Sequence, residues 1–255
     1  MDCTPTEDEE QVREISLIES LDEWWLKLPL TIMQHVGPAV QTLAGILAIT
    51  NRETFVPVED IAKRTRLPIS TVRKHLRTLI GKGWVENLGR QRTRAGYRRR
   101  TVTIRLPKKT RDALEPYGIL PWWACCSIRG VGRLPWCAKA LLSVVLARLC
   151  SLKAAVEQQD GHGLEADDVM GSIENMGGED RFRFSLDRLA RDTGLSRPAI
   201  IRGKRWLYRH RIAIWSGTKP TRGQDTAMDV LAPSEDFRVR ETPASPGKVW
   251  LDFVG

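Results

Sequence analysis

Apolar residues recur in this chain with a helical period in several places and with a two-residue period in a few short runs. Ile15, Ile18, Leu21, Trp25 and Leu28 are spaced by threes and fours, which predicts an amphipathic helix that stops before Pro29. "GPAVQTLAGILAITN", residues 37–51, is apolar on most sides and carries Pro38 near its first turn, so it predicts a helix seated in a core. "FVPVEDIAKRT" predicts a short extended piece feeding a helix from about Val58. In "LPISTVRKHLRTLIGKGW" the positions Val72, Leu76 and Leu79 make one buried stripe, Ser70 is placed to cap the start, and Gly81 and Gly83 mark the end. The period then changes to two. "WVENL" and "RRRTVTIRL", where Val102, Ile104 and Leu106 share a face, predict two strands joined through "GRQRTRAGY".

The same order returns further along the chain. After residues 107–135, which hold four prolines and Trp122-Trp123 and are expected to be a connector, "LPWCAKALLSVVLARLCSLKAAVEQ" predicts an apolar helix equivalent to residues 38–50. Residues 160–180 contain no Lys or Arg and many acids and glycines, the composition of an inserted acidic loop. "FSLDRLARDTGLSRPAIIRGKRWLYRHRIAIWSG" then repeats the earlier helix pair without a gap at an offset of 128 residues: Ala62 with Ala190, Thr65 with Thr193, Leu67 with Leu195, Val72 with Ile200, Leu79 with Leu207. Two positions depart from the register. Lys204 stands where the first copy has Leu76, and Gly203 sits in mid-helix, where glycine costs about 1 kcal/mol relative to alanine. Either the second helix is shifted in its packing or its stripe uses Trp206 or Tyr208. "TKPTRGQDTAMDV" and "GKVWLDFVG" are both candidates for the strand that pairs with "IAIW".

The expected organisation is an acidic disordered tail over 1–12, a first unit over 13–106 including the N-terminal helix, the connector over 107–135, and a second unit over 136–255 with its acidic loop. The expected fold class is mostly α with small β wings (α+β). At 255 residues the chain can bury substantial cores.

Charge sharpens this picture more than composition does. The net charge is +9, yet residues 1–23 carry nine acids and one arginine, which leaves +17 on the rest. From Lys63 to Arg111 there are seventeen Lys or Arg against the single acid Glu86, and from Arg181 to Arg222 twelve against two. These windows coincide with the two copies and point to a polyanionic partner. On a helix whose stripe is Val72, Leu76 and Leu79, the residues Ser70, Thr71, Arg73, Lys74 and Arg77 project elsewhere and can reach a DNA groove. Arg90, Arg92, Arg94, Arg98, Arg99 and Arg100 crowd one turn, where phosphates would relieve their mutual repulsion. In the second copy the corresponding exposed set is Arg197, Ala199, Ile201, Arg202 and Arg205, of which the arginines Arg197, Arg202 and Arg205 are the candidates for DNA contact.

These stretches, "VEDIAKRTRLPISTVRKHLRTLIGKGWVE" above all, resemble tandem winged-helix DNA-binding proteins of the kind found among bacterial transcription regulators and plasmid or phage replication initiators. The resemblance covers roughly residues 38–106 and 137–222. It implies double-stranded DNA as partner, a third helix in the major groove, and a wing on backbone or minor groove. A sequence-specific transcription regulator is the function expected, with a replication initiator as alternative. A protein-binding adaptor of chromosome-organisation complexes is a third reading, although such adaptors usually lack a dense arginine wing. The N-terminal helix offers a surface for a homodimer.

Other chemistry is poorly represented. There is no phosphate-binding loop, HExxH pair or nucleophile elbow among only four histidines, so no enzyme and no cofactor are expected. His162, Glu165, Asp167 and Asp168 lack any metal-loop spacing. The five cysteines form no CxxC pair and read as reduced thiols. No long apolar run and no basic leader are present, which predicts a cytoplasmic, nucleoid-associated protein without membrane partners.

Overall fold

The computed structural model describes residues 13–16, 24–49, 54–87, 101–128, 131–160, 183–217, 228–233, 237–241 and 248–253. The described chain opens with β1 (Arg13–Ser16), β2 (Trp25–Pro29), α1 (Leu30–Val36) and α2 (Ala39–Ile49). Next come β3 (Thr54–Pro57), α3 (Val58–Thr65), α4 (Ile69–Gly81), β4 (Glu86–Asn87) and β5 (Thr101–Arg105). These last five elements and α2 form the first unit. α3 and α4 both pack on α2, and a three-stranded antiparallel sheet in the order β3-β5-β4 closes it. Helices over a small antiparallel sheet in this order are compatible with an α+β winged helix.

The described residues of 107–135 are more than a surface connector. They supply α5 (Lys108–Asp112), β6 (Tyr117–Pro121), α6 (Trp122–Cys125), β7 (Ser127–Ile128) and β8 (Gly132–Arg133), and Ile119, Leu120, Trp123 and Cys125 are buried. The prolines that suggested a connector instead start elements. Pro107 and Pro121 are the N-cap residues of α5 and α6, and Pro135 accepts the amide of Ala138 at the start of the long helix α7 (Trp136–Asp160). Proline fixes φ near −65° and has no N–H to satisfy, which suits a residue entering a helix.

The N-terminal amphipathic helix is not found at residues 13–16 or 25–29. β1 pairs with a strand near the C-terminus, Arg13 opposite Glu241, and β2 pairs antiparallel with β6, Trp25 opposite Pro121. Within β2, Leu26 and Leu28 are buried while Lys27 between them is exposed, so the local period is two. The partners that select strand over helix lie far along the chain. The helix on which a homodimer contact was expected is absent at these positions.

After α7 come β9 (Arg183–Ser185), α8 (Leu186–Thr193), α9 (Arg197–Arg209), β10 (Ala213–Gly217) and β11 (Met228–Pro233). Their sheet order, β10-β11-β9, repeats the connectivity of β4-β5-β3. The strand that pairs with β10 is therefore "MDVLAP"; "KVWLDF" is β13 (Lys248–Phe253), which joins β12 (Phe237–Glu241), β1, β7 and β8 in a separate five-stranded sheet.

α7 ties the two helix pairs together. One buried cluster runs from α2 through β6 and α7 to α9. Buried Lys139 on α7 donates from Nζ to Gln41 Oε1 at 3.4 Å, and Gln41 Nε2 donates to the Thr65 carbonyl at 2.9 Å.

Candidate nucleic-acid interface

The two helix pairs match residue for residue. α3 and α8 have the same length and sit at the same offset of 128, as do α4 and α9. Thr65 Oγ1 donates to the Ile61 carbonyl at 2.7 Å and Thr193 Oγ1 to the Leu189 carbonyl at 2.5 Å. The turns match as well. Arg66 (φ 54°) aligns with Gly194 (φ 68°), and Gly83 (φ 67°) with Arg211 (φ 47°). Both turn geometries demand positive φ, and each copy uses glycine at a different one of the two positions.

α4 begins at Ile69, with Pro68 as the N-cap residue and no side-chain cap bond. Ser70 is thus not the cap that its position suggested. Pro68 fixes the approach of the chain, and Ser70 is left exposed on the first turn. Val72, Leu76 and Leu79 are buried as expected. Arg73, Lys74 and Arg77 are exposed and Thr71 half-buried, and among the described residues no carboxylate pairs with these three cations. The inner side of α4 is fixed by His75, whose Nδ1 lies 2.8 Å from Thr42 Oγ1 on α2. Burial, then the charges of Lys74 and Lys139, hold the His75 pKa below its ordinary value. His75 therefore serves α4 as a neutral packing group. The expected wing residues Arg90, Arg92, Arg94, Arg98, Arg99 and Arg100 lie outside the described residues, as do the acidic tail, the 161–182 segment and the acids considered as metal ligands.

In α9 the exposed residues include Arg202, Arg205 and Arg197, and Arg197 Nη2 reaches Asp187 Oδ1 on α8 at 2.8 Å. An exposed pair of this kind contributes little to stability, but it tethers Arg197 to an acid where Ile69, its counterpart, has none. The register of α9 is not shifted. Ile200, Gly203, Lys204 and Leu207 form its buried stripe, while Tyr208 stays exposed.

Both departures in that stripe have a packing reason or a packing consequence. A Cβ on Gly203 would stand 2.8 Å from the Cys137 carbonyl oxygen and 2.7 Å from Leu141 Cδ1, so glycine lets α9 and α7 approach each other closely. Lys204 is fully buried, and desolvation of its ammonium pulls its pKa down from near 10.5 to about 8. The unfolded chain then binds more protons than the folded one between about pH 8 and about pH 10.4. Stability owed to this residue is lowest below pH 8 and rises with pH across that window. Lys204→Met is expected to raise Tm at pH 7 and to flatten the rise between pH 8 and 10, read by thermal unfolding of both proteins at each pH. An unchanged pH slope would show that Lys204 titrates as it does in water.

Among the described residues no group of three or more His, Cys, Asp or Glu could hold a metal ion, and no helix is long and apolar enough to cross a membrane. Cys125 and Cys126 are buried and form no disulfide, and burial pushes Cys125 up to about 12, far from the reactive thiolate range.

Residues 42–89 match the family model of the IclR helix-turn-helix domain. The match takes in most of α2, all of α3 and α4, and β4. No curated protein and no solved structure matches the chain. Residues 42–89 are thus an IclR-type helix-turn-helix DNA-binding domain, consistent with a winged-helix transcription regulator. Domains of this type bind DNA rather than catalyse reactions.

Proposed function

We propose that the protein is a sequence-specific transcription regulator that reads double-stranded DNA of the nucleoid with α4 in the major groove. The observation that carries this reading is α4 itself: a helix with a complete buried stripe whose opposite side presents Ser70, Arg73, Lys74 and Arg77 inside the helix-turn-helix match. Arginine pairs bidentately with guanine O6 and N7, and serine and lysine serve bases or phosphates. The cations from Lys63 to Arg111, the arginines of 90–100 among them, supply the salt-dependent share of affinity.

We further propose that α8 and α9, with β9 to β11, act as a second winged-helix unit in tandem. The shared register, turn backbones and strand connectivity support this reading. Arg197, Arg202 and Arg205 then face a second stretch of the same duplex, with about one helical turn, roughly 10 base pairs, between the two half-sites. Because α4 and α9 present different residues, the site is not palindromic.

Selection of bound duplexes from a random pool, with salt dependence measured on the winner and on unrelated DNA, tests both parts. The expected result is an enriched asymmetric site bound more tightly than unrelated DNA, and a steep fall of both affinities with salt. Equal affinity for every duplex would sink the sequence-specific reading. Enrichment over a single half-site would remove the second unit from it.

A further inference from the structure

We infer that Ile69 is a specificity-determining residue that reads the C5-methyl group of a thymine. The inference rests on the reading of α4 as the groove-binding helix. Ile69 is 39 % exposed, one of only three large hydrophobic side chains that are exposed among the described residues. It is the first residue of α4, and it lies in the row Ile69, Arg73, Arg77, whose members are four residues apart and so share one face of the helix. This isoleucine opens a row of otherwise cationic side chains and is far more exposed than the stripe residues Val72, Leu76 and Leu79. The thymine methyl is the apolar feature of the major-groove base edges. Residues at the N-terminal end of a recognition helix are those that contact base edges, and a β-branched side chain in a helix is held in one rotamer, so little freedom is lost on contact.

The second helix pair argues for the same assignment by contrast. At the position equivalent to Ile69 it has Arg197, tied at 2.8 Å to Asp187. At this position the apolar side chain belongs to the first unit. Four helical residues rise about 6 Å and base pairs are spaced at about 3.4 Å, so the thymine read by Ile69 falls within about two base pairs of the base read by Arg73.

The test replaces each thymidine of the selected duplex by deoxyuridine, one at a time, which removes the methyl group and keeps the hydrogen-bonding edge. Wild type, Ile69→Ala and Ile69→Val are titrated on each duplex. Ile69 is exposed, and an unchanged Tm of the variants confirms an intact fold. One substitution, near the base whose preference is lost in Arg73→Ala, is expected to weaken wild type and Ile69→Val about three- to five-fold and to leave Ile69→Ala unchanged. If every deoxyuridine duplex affects wild type and Ile69→Ala alike, the assignment of Ile69 is overturned while the reading of α4 stands. A pool that yields no enriched site overturns both.

Discussion

Gly194→Ala is expected to destabilise the protein by about 3 kcal/mol, and Arg66→Ala, at the equivalent turn, by no more than about 0.5 kcal/mol. Both residues occupy the left-handed region, where a Cβ costs about 1–2 kcal/mol. Arg66 already bears that cost, so alanine adds little. At Gly194 the cost is new, and a second arises with it: the added Cβ would stand 2.6 Å from Gln34 Cα and 3.0 Å from the Gln34 carbonyl oxygen. These are backbone atoms of α1, which cannot rotate aside as a side-chain tip would, and overpacking of this kind costs about 1–3 kcal/mol. Denaturant unfolding of the two variants checks the contrast. A loss of only about 1–2 kcal/mol at Gly194 would mean that the junction between α1 and α8 yields freely, and equal losses would overturn the contrast altogether.

Arg73→Ala is expected to weaken binding to the selected site about 10- to 100-fold, the effect of removing one bidentate base contact of about 1–3 kcal/mol. Binding to unrelated DNA should change only a few-fold, so the ratio of the two affinities collapses. The double change Arg92→Ala and Arg94→Ala should weaken both kinds of DNA about equally and lower the salt slope by about two, one for each phosphate that is no longer neutralised. Titrations on the two duplexes at several salt concentrations separate these outcomes. If Arg73→Ala and the double change behaved alike, the division between reading helix and wing would be wrong.

Much of this site is legible in the residues alone, because the signals are local. The start of α3 and the stripe Val72, Leu76, Leu79 follow from spacing, and the exposure of Arg73, Lys74 and Arg77 follows from the stripe. Ile69 is harder to see. With Ser70 taken as the cap, Ile69 falls outside the helix, and only the observed start after Pro68 puts it in the row with Arg73. Gly203 and Lys204 read as defects in a stripe until α7 is in place beside them. Then the glycine is a contact point between helices and the lysine a buried cation.

The chain by itself determined the two basic helix pairs, their offset and which of their cations are exposed, since these depend on periods of three to four residues and on charge placed along the chain. Tertiary structure alone decided that Trp25–Pro29 is a strand, that 118–126 is core, and that "MDVLAP" rather than "KVWLDF" pairs with β10. It also decided how the turns are held. Arg133 Nη1 donates to the Arg66 carbonyl at 3.3 Å, while the Gly194 turn rests against Gln34 of α1. Each turn is thus braced by residues from the other half of the chain. Strand pairing and close backbone approach join positions far apart in the chain, and a local apolar period is the same whichever distant partner is going to cover it.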